Sequence, residues 1–308
     1  MGMFIMKALC VIGIVLNVFL MIKKQNELRA NPAKDEALGM TGEELWAFGK
    51  KNAVKTAIIG FFANFFDTLG IGSFAPTSAY FKMTKSVDDV LVPGTLNVGD
   101  TVPVCVEAFL FFGLVEMDVL TLVLMIAASV IGSIVMAGIV SKFDRKKVRY
   151  TLFVGLFLLA TVVLMKNLGV GPFGTTGTAT TLRGGKLIIA VVGNFIFGAL
   201  MSIGVGLYAP CMAMVLALGM DAGCAFPAMM GSCAYLMAFG NGPKFIQEGR
   251  YDMFACWMQA IPGALGVYVA YKFVSSLPLD VLTKVIVVVV YITAFLYLKD
   301  AIQKGSEA

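Results

Sequence analysis

Gly70-Ile71-Gly72-Ser73-Phe74-Ala75-Pro76 and Gly204-Val205-Gly206-Leu207-Tyr208-Ala209-Pro210 repeat one pattern, Gly-x-Gly-x-x-x-Pro, in the middle of two long apolar runs, 56–82 and 186–218. A helix breaks readily at paired glycines, which accept backbone conformations closed to other residues. Proline a few residues later suits the first turn of a new helix, where its missing N–H costs nothing. Each run therefore reads as a hairpin of two half-helices that enters and leaves on one side of a membrane. Gly72 and Gly206 are expected to take positive φ. Irregular backbone at that depth must be covered by protein or line a wet cavity.

Working outward from the two turns, an ungapped offset of 134 residues places Phe61 on Phe195, Ala75 on Ala209, Ala79 on Ala213, Pro93 on Pro227, Asp118 on Asp252 and Gly132 on Gly266. The chain is thus a duplicated unit. Its 308 residues are 59% hydrophobic and 14% charged, against roughly 45–50% and 25% in soluble domains. With a mean hydropathy of +0.87, this is the composition of an integral membrane protein. No His is present, which excludes imidazole bases, His-ligated metals and His-based pH switches. Cys10, Cys105, Cys211, Cys224, Cys233 and Cys256 lie in or beside apolar segments without a C-x-x-C pair, so neither a disulfide framework nor a zinc site is indicated. The net charge of +5 comes from short basic runs between apolar segments, and no nucleic-acid partner is expected. No Walker A sequence occurs and no cofactor is expected. Gly169, Gly171 and Gly174 match G-x-G-x-x-G formally, but they follow a membrane span rather than a strand and read as linker.

Nine apolar stretches stand out: 3–22, 56–82, 90–113, 119–141, 148–166, 186–218, 223–245, 252–272 and 281–298. If all nine cross, Lys and Arg divide 14 to 10 between the two sides. If 56–82 and 186–218 are hairpins, they divide 18 to 6, satisfying the positive-inside rule. The expected fold is an all-α polytopic membrane protein. It is an inverted repeat of two units, each with a broken re-entrant hairpin plus three transmembrane helices, after one N-terminal transmembrane helix. The organisation is 1–55 (first helix and cytoplasmic interfacial segment), 56–166 and 187–298 (the repeats), 167–186 (Gly/Thr-rich linker) and 299–308 (cytoplasmic tail). The N-terminus is expected outside and the C-terminus inside. Within 1–55, Thr41-Gly42-Glu43-Glu44 has capping-box spacing ahead of Leu45, Trp46 and Phe48.

Helix starts after glycine breaks offer free N–H groups and a positive dipole end to an anion. The candidate substrate residues are Gly70, Gly72, Ser73, Pro76, Thr77 and Asn97 in the first repeat. In the second they are Gly204, Gly206, Tyr208, Pro210, Cys211 and Asn241. Asp67, Asp100 and Glu107 are acids inside apolar segments, where a functional role is the default reading. They stand opposite Met201, Ala234 and Asn241, so the duplication does not require them, and proton coupling would use that asymmetry. The structural alternative has Asp67 capping the glycine turn and Glu107 paired with Lys244.

At these residues the chain resembles the sulfite exporter TauE/SafE family, also called the toluene-sulfonate uptake permeases. The resemblance covers about 56–298 and rests on the duplicated turns at 70–76 and 204–210, the Pro-bearing spans after them, and the third spans starting near Asp118 and Asp252. It implies a multi-pass inner-membrane secondary transporter, not an enzyme, exporting sulfite, organosulfonates or related small organic anions by alternating access. The expected partners are the anion, protons and the lipid bilayer. An anion channel and a non-transport membrane scaffold are the alternatives.

Overall fold

The computed structural model describes residues 2–174, 177–273, 288, 291–292 and 294–302. Most of the expected 281–298 span and all of 303–308 lie outside the described residues. Within them every regular element is helical: α1 (Gly2–Ala30), α2 (Gly42–Lys51), α3 (Ala53–Asp67), α4 (Phe74–Thr84), α5 (Val92–Gly99), α6 (Thr101–Phe111), α7 (Val119–Val140), α8 (Arg145–Leu168), α9 (Gly184–Met201), α10 (Tyr208–Ala217), α11 (Ala225–Tyr235), α12 (Asn241–Gln247) and α13 (Met253–Phe273). Five of them, α1, α7, α8, α9 and α13, contain stretches long and apolar enough to cross a membrane. Large apolar side chains face outward, as with Phe4, Ile131 and Ile188, while Asn64, Asp100, Glu107 and Gln259 are fully buried. Apolar outside and polar inside is the arrangement that a hydrocarbon solvent selects.

The duplicated sequence folds into duplicated elements. Both glycine stretches break their helices as expected: α3 ends at Asp67 and α4 starts at Phe74, and 134 residues later α9 ends at Met201 and α10 starts at Tyr208. The mouths of the two hairpins are closed alike. Lys55 Nζ, at the start of α3, donates to the Thr84 carbonyl at the end of α4 (3.3 Å), and Lys186 Nζ, at the start of α9, donates to the equivalent Leu218 carbonyl (3.0 Å). The third spans begin on matching N-caps: Asp118 accepts from the Thr121 N–H and Asp252 from the Ala255 N–H, each at 2.9 Å. Asp118 also receives two bonds from the Arg183 guanidinium. Arg183 and then Thr121 hold its carboxyl well below the usual carboxylate range.

The longest helix contacts cross between repeats, α13 along α3 and α7 along α9. Glycines make them possible. A Cβ at Gly132 would collide with the Phe195 carbonyl, and one at the equivalent Gly266 with the equivalent Phe61 carbonyl. Small residues bringing backbones together are the usual packing device where lipid supplies no hydrophobic force.

Two ends of the bundle follow. At one, Arg250 donates to the Phe143 carbonyl (2.8 Å), Arg149 pairs with Asp89 (2.9 Å), and Lys82 pairs with Asp89 (2.8 Å) and Asp300 (2.7 Å). There α2 carries the expected capping box between Thr41 and Glu44, and Trp46 packs against Phe254 beneath the Arg29 guanidinium. At the other end, the Asp118 N–H donates to the Thr180 carbonyl and Arg183 pairs with Asp118.

Several expectations need correction. The stretches 90–113 and 223–245 are not single helices. The first is interrupted at Asp100, between α5 and α6, and the second passes through a π-helical turn, Leu236–Gly240, between α11 and α12. The first helix runs past Lys23 and Lys24 to Ala30. The 167–186 linker includes the end of α8, a 3₁₀ turn at Gly171–Gly174 and the start of α9.

Candidate substrate and coupling site

The glycine turns share a hydrogen-bond pattern. The Gly70 N–H donates to the Asp67 carbonyl (2.7 Å) and the Ile71 N–H to Phe66 (3.3 Å); the equivalents are Gly204 to Met201 (3.0 Å) and Val205 to Leu200 (3.3 Å). Positive φ falls on Gly70 (81°), Gly72 (95°) and Gly204 (95°). Gly206 is not among the positive-φ glycines, contrary to expectation. The first turn thus needs glycine twice and the second once.

The turns face one another across a narrow cavity of about 10 Å³, room for about one water molecule, lined by Asp67, Gly72, Ser73, Met201, Gly206 and Tyr208, with Phe74, Val104, Leu207 and Cys233 completing the wall. Space at Gly72 opens toward the Tyr208 Cβ, 3.9 Å from where a Cβ would stand. Neither new helix is capped by a side chain: Ser73 and Leu207 occupy the N-cap positions of α4 and α10 without bonding to the first turn. The opening N–H groups of both helices lack intrahelical acceptors. Pro76 and Pro210, each in the first turn, remove one such donor. What remains at the cavity is two positive helix ends made of backbone.

The acids surround this cavity in different ways. Asp100, Val104 and Glu107 sit at spacings of four and three on one face of the α5–α6 segment. Glu107 is held by the Thr68 hydroxyl, donating to Oε1 (2.9 Å), and by the Tyr208 hydroxyl, donating to Oε2 (2.6 Å). One carboxyl therefore ties the first turn's neighbour to the opening residue of α10. It is not paired with Lys244, which bonds to Glu248 at 2.6 Å. Asp100 Oδ1 accepts from Asn64 Nδ2 and Gln259 Nε2, both at 3.2 Å, leaving Oδ2 without a partner. Asp67 is fully buried, and neither carboxylate oxygen has a hydrogen-bond partner. Its carbonyl, not its carboxyl, closes the glycine turn. The Ser73 N–H and hydroxyl approach Asp67, and the hydroxyl approaches Asp100, without closing a bond of good geometry to either. Among the described residues, no Lys or Arg lines the cavity.

The remaining candidates divide. Asn97 and Asn241 do not line the cavity. Asn97 Nδ2 donates to the Met201 carbonyl (3.0 Å), and Asn241 Nδ2 donates to Asn97 Oδ1 (2.6 Å) and to Ser202 Oγ (3.1 Å). They pin the second turn from behind. Cys211 is buried one turn into α10, away from the cavity wall, and Thr77 is buried with its hydroxyl unpaired. Asn64, Thr68, Ser202 and Gln259 were missed by the sequence reading. For two of them the duplication held a signal: Thr68 and Ser202 are hydroxyls in equivalent positions, and each meets the residue, Glu107 or Asn241, in the other equivalent pair.

No family model, no curated protein and no solved structure matches the chain.

Proposed function

We propose that the protein is a secondary transporter of small anions, of the sulfite, organosulfonate or related organic-acid class, coupled to protons and built as an inverted repeat. The observation that carries this reading is the meeting of two uncapped helix ends, one from each repeat unit, at a cavity that also holds the unpartnered Asp67 carboxyl. Backbone N–H groups at helix ends suit a small oxyanion without need of a basic side chain. The inversion is supported by the hairpin mouths, since Lys55 to Thr84 closes at the end with α2 and Lys186 to Leu218 at the end with Arg183. Paired broken segments meeting mid-protein are the usual pointer to a transporter's site.

Coupling follows from charge. An anion at the helix ends lies beside Asp67, and two negative charges in a buried site repel strongly. The anion is accommodated when Asp67 carries a proton, so one proton accompanies each anion and the gradients set the direction of net transport.

Purified protein in sealed liposomes tests this with radiolabelled sulfite and benzenesulfonate. With the outside more acidic and no membrane potential, labelled anion should accumulate above equilibrium, which a channel cannot achieve. A cavity whose described lining holds the Asp67 carboxyl and no basic side chain favours a second reading, a cation as cargo. Labelled sodium accumulation, with no flux of either anion, would establish that reading instead.

A further inference from the structure

The outer face of α8 carries an apolar groove that the transport site does not use. Its walls are Thr151, Val154, Leu158 and Val162 on α8 and Ile203 and Val205 in the second glycine turn, around a space of about 340 Å³. The α8 positions recur at spacings of three and four, one face of the helix. They extend over about 17 Å at 1.5 Å per residue. Val154 and Leu158 are 51% and 57% exposed, so the groove opens sideways toward the bilayer. The Thr151 hydroxyl already donates to the Lys147 and Val148 carbonyls (both 3.0 Å), and the walls offer a ligand little but hydrocarbon contact. Gly155 forms part of the floor: a Cβ there would collide with the Val205 side chain, so α8 rests directly on the turn.

Charge identifies the occupant. One helical turn before Tyr150 and Thr151 stand Lys146 and Lys147, both exposed, in a basic run from Lys142 to Arg149. Residues four apart share a helix face, so these ammonium groups sit above the groove's end. Arg149 is committed to Asp89 and the Asp300 carbonyl, whereas among the described residues the Lys147 ammonium meets only Asp144, at 3.5 Å. Tyr150, 37% exposed, marks the level between them, where aromatic residues gather at a membrane surface.

We propose that this groove is a binding site for one anionic phospholipid, its headgroup held by Lys146 and Lys147 and one acyl chain lying along α8 against Val205. The lipid chain then bears on the back of the second glycine turn, whose front faces the transport cavity. A neutral lipid would fill the groove but leave the lysines unused.

Native mass spectrometry of the full chain in detergent tests the site, using phosphatidylglycerol and phosphatidylcholine of identical chains. The first bound phosphatidylglycerol should be preferred by about thirtyfold, as two lysines near a headgroup imply. Lys146→Ala with Lys147→Ala, both at the surface, should abolish the preference while leaving chain binding. Leu158→Trp should fill the groove and remove both adducts, whereas Ile131→Trp, on the exposed face of α7, should remove neither. Equal affinity for the two lipids in the unaltered protein, or a preference unchanged in the double lysine variant, overturns the proposal. So does a Leu158→Trp protein of unaltered thermal stability that still binds the lipid.

Discussion

Asp67 lines the cavity, whereas Glu107 reaches it only through Tyr208 in the wall, and the two acids are held differently. Glu107 receives hydroxyl donors on both oxygens, while Asp67 receives none. Two filled acceptor sites suit a strut, and under the proposed function Asp67 is the acid left to carry the proton. Asp67→Asn should therefore retain exchange of labelled anion across the membrane and lose accumulation driven by a pH gradient. Accumulation at the original level in that variant would place coupling elsewhere. Tyr208→Phe removes the donor that ties Glu107 to α10 and should weaken stability by about 1–3 kcal/mol, the cost of leaving a buried acceptor unsatisfied. The backbone makes a separable prediction. Gly72 has room for a Cβ, but its φ of 95° does not suit one. Gly72→Val should cost about 1–3 kcal/mol of stability through backbone strain, whereas Ser73→Ala should lower only the affinity for sulfite, by about 0.5–1.5 kcal/mol for one hydrogen bond to the anion. Gly206→Val, at a glycine outside the positive-φ set, should fall below Gly72→Val. Calorimetry with sulfite, alongside thermal unfolding in detergent, ranks the three.

At the scale of helices, the duplication supplies its own controls. Lys85 ends α4 in the left-handed region, at φ 51°, and the equivalent residue after α10 is Gly219, at φ 80°. A left-handed conformation costs a residue with a Cβ about 1–2 kcal/mol. Lys85→Gly should recover part of that and raise the unfolding midpoint, and Gly219→Ala should lower it. A fall in stability for Lys85→Gly would mean that the lysine's side chain, not its backbone, matters. The same elements show what sequence could reveal. Both glycine breaks, the capping box at Thr41 and the starts of the third spans near Asp118 and Asp252 were legible because each is set by residues within a few positions. The interruption at Asp100 was not, because its φ and ψ of −83° and −3° depart little from a helix, and Gly99 before it and Pro103 after it are compatible with an unbroken span as well. Nor were Asn64 and Gln259 as partners of Asp100, lying 36 and 159 residues from it. Only packing of α13 on α3 brings them there.

Across the whole molecule, the arrangement of charge and the arrangement of helices can be tested by one set of labels. Residues 24–51, 82–89, 141–149 and 250 gather at one end, with most of the basic side chains, while 118 and 180–186 gather at the other. Lys85 and Thr181 are exposed at opposite ends. All six native cysteines are buried, so an impermeant thiol reagent should ignore the unaltered protein. Lys85→Cys should then be labelled from the cytoplasmic face alone and Thr181→Cys from the external face alone. The two results answer different questions. Labelling from opposite faces is required by inverted hairpins whatever the orientation, because α5 with α6 must carry the chain across once between the two mouths. Which face reaches Lys85 depends only on the excess of Lys and Arg at its end. Both labels from one face would dismantle the inverted repeat, and with it the meeting of two oppositely directed helix ends on one anion. Exchanged faces would keep that site and overturn only the orientation.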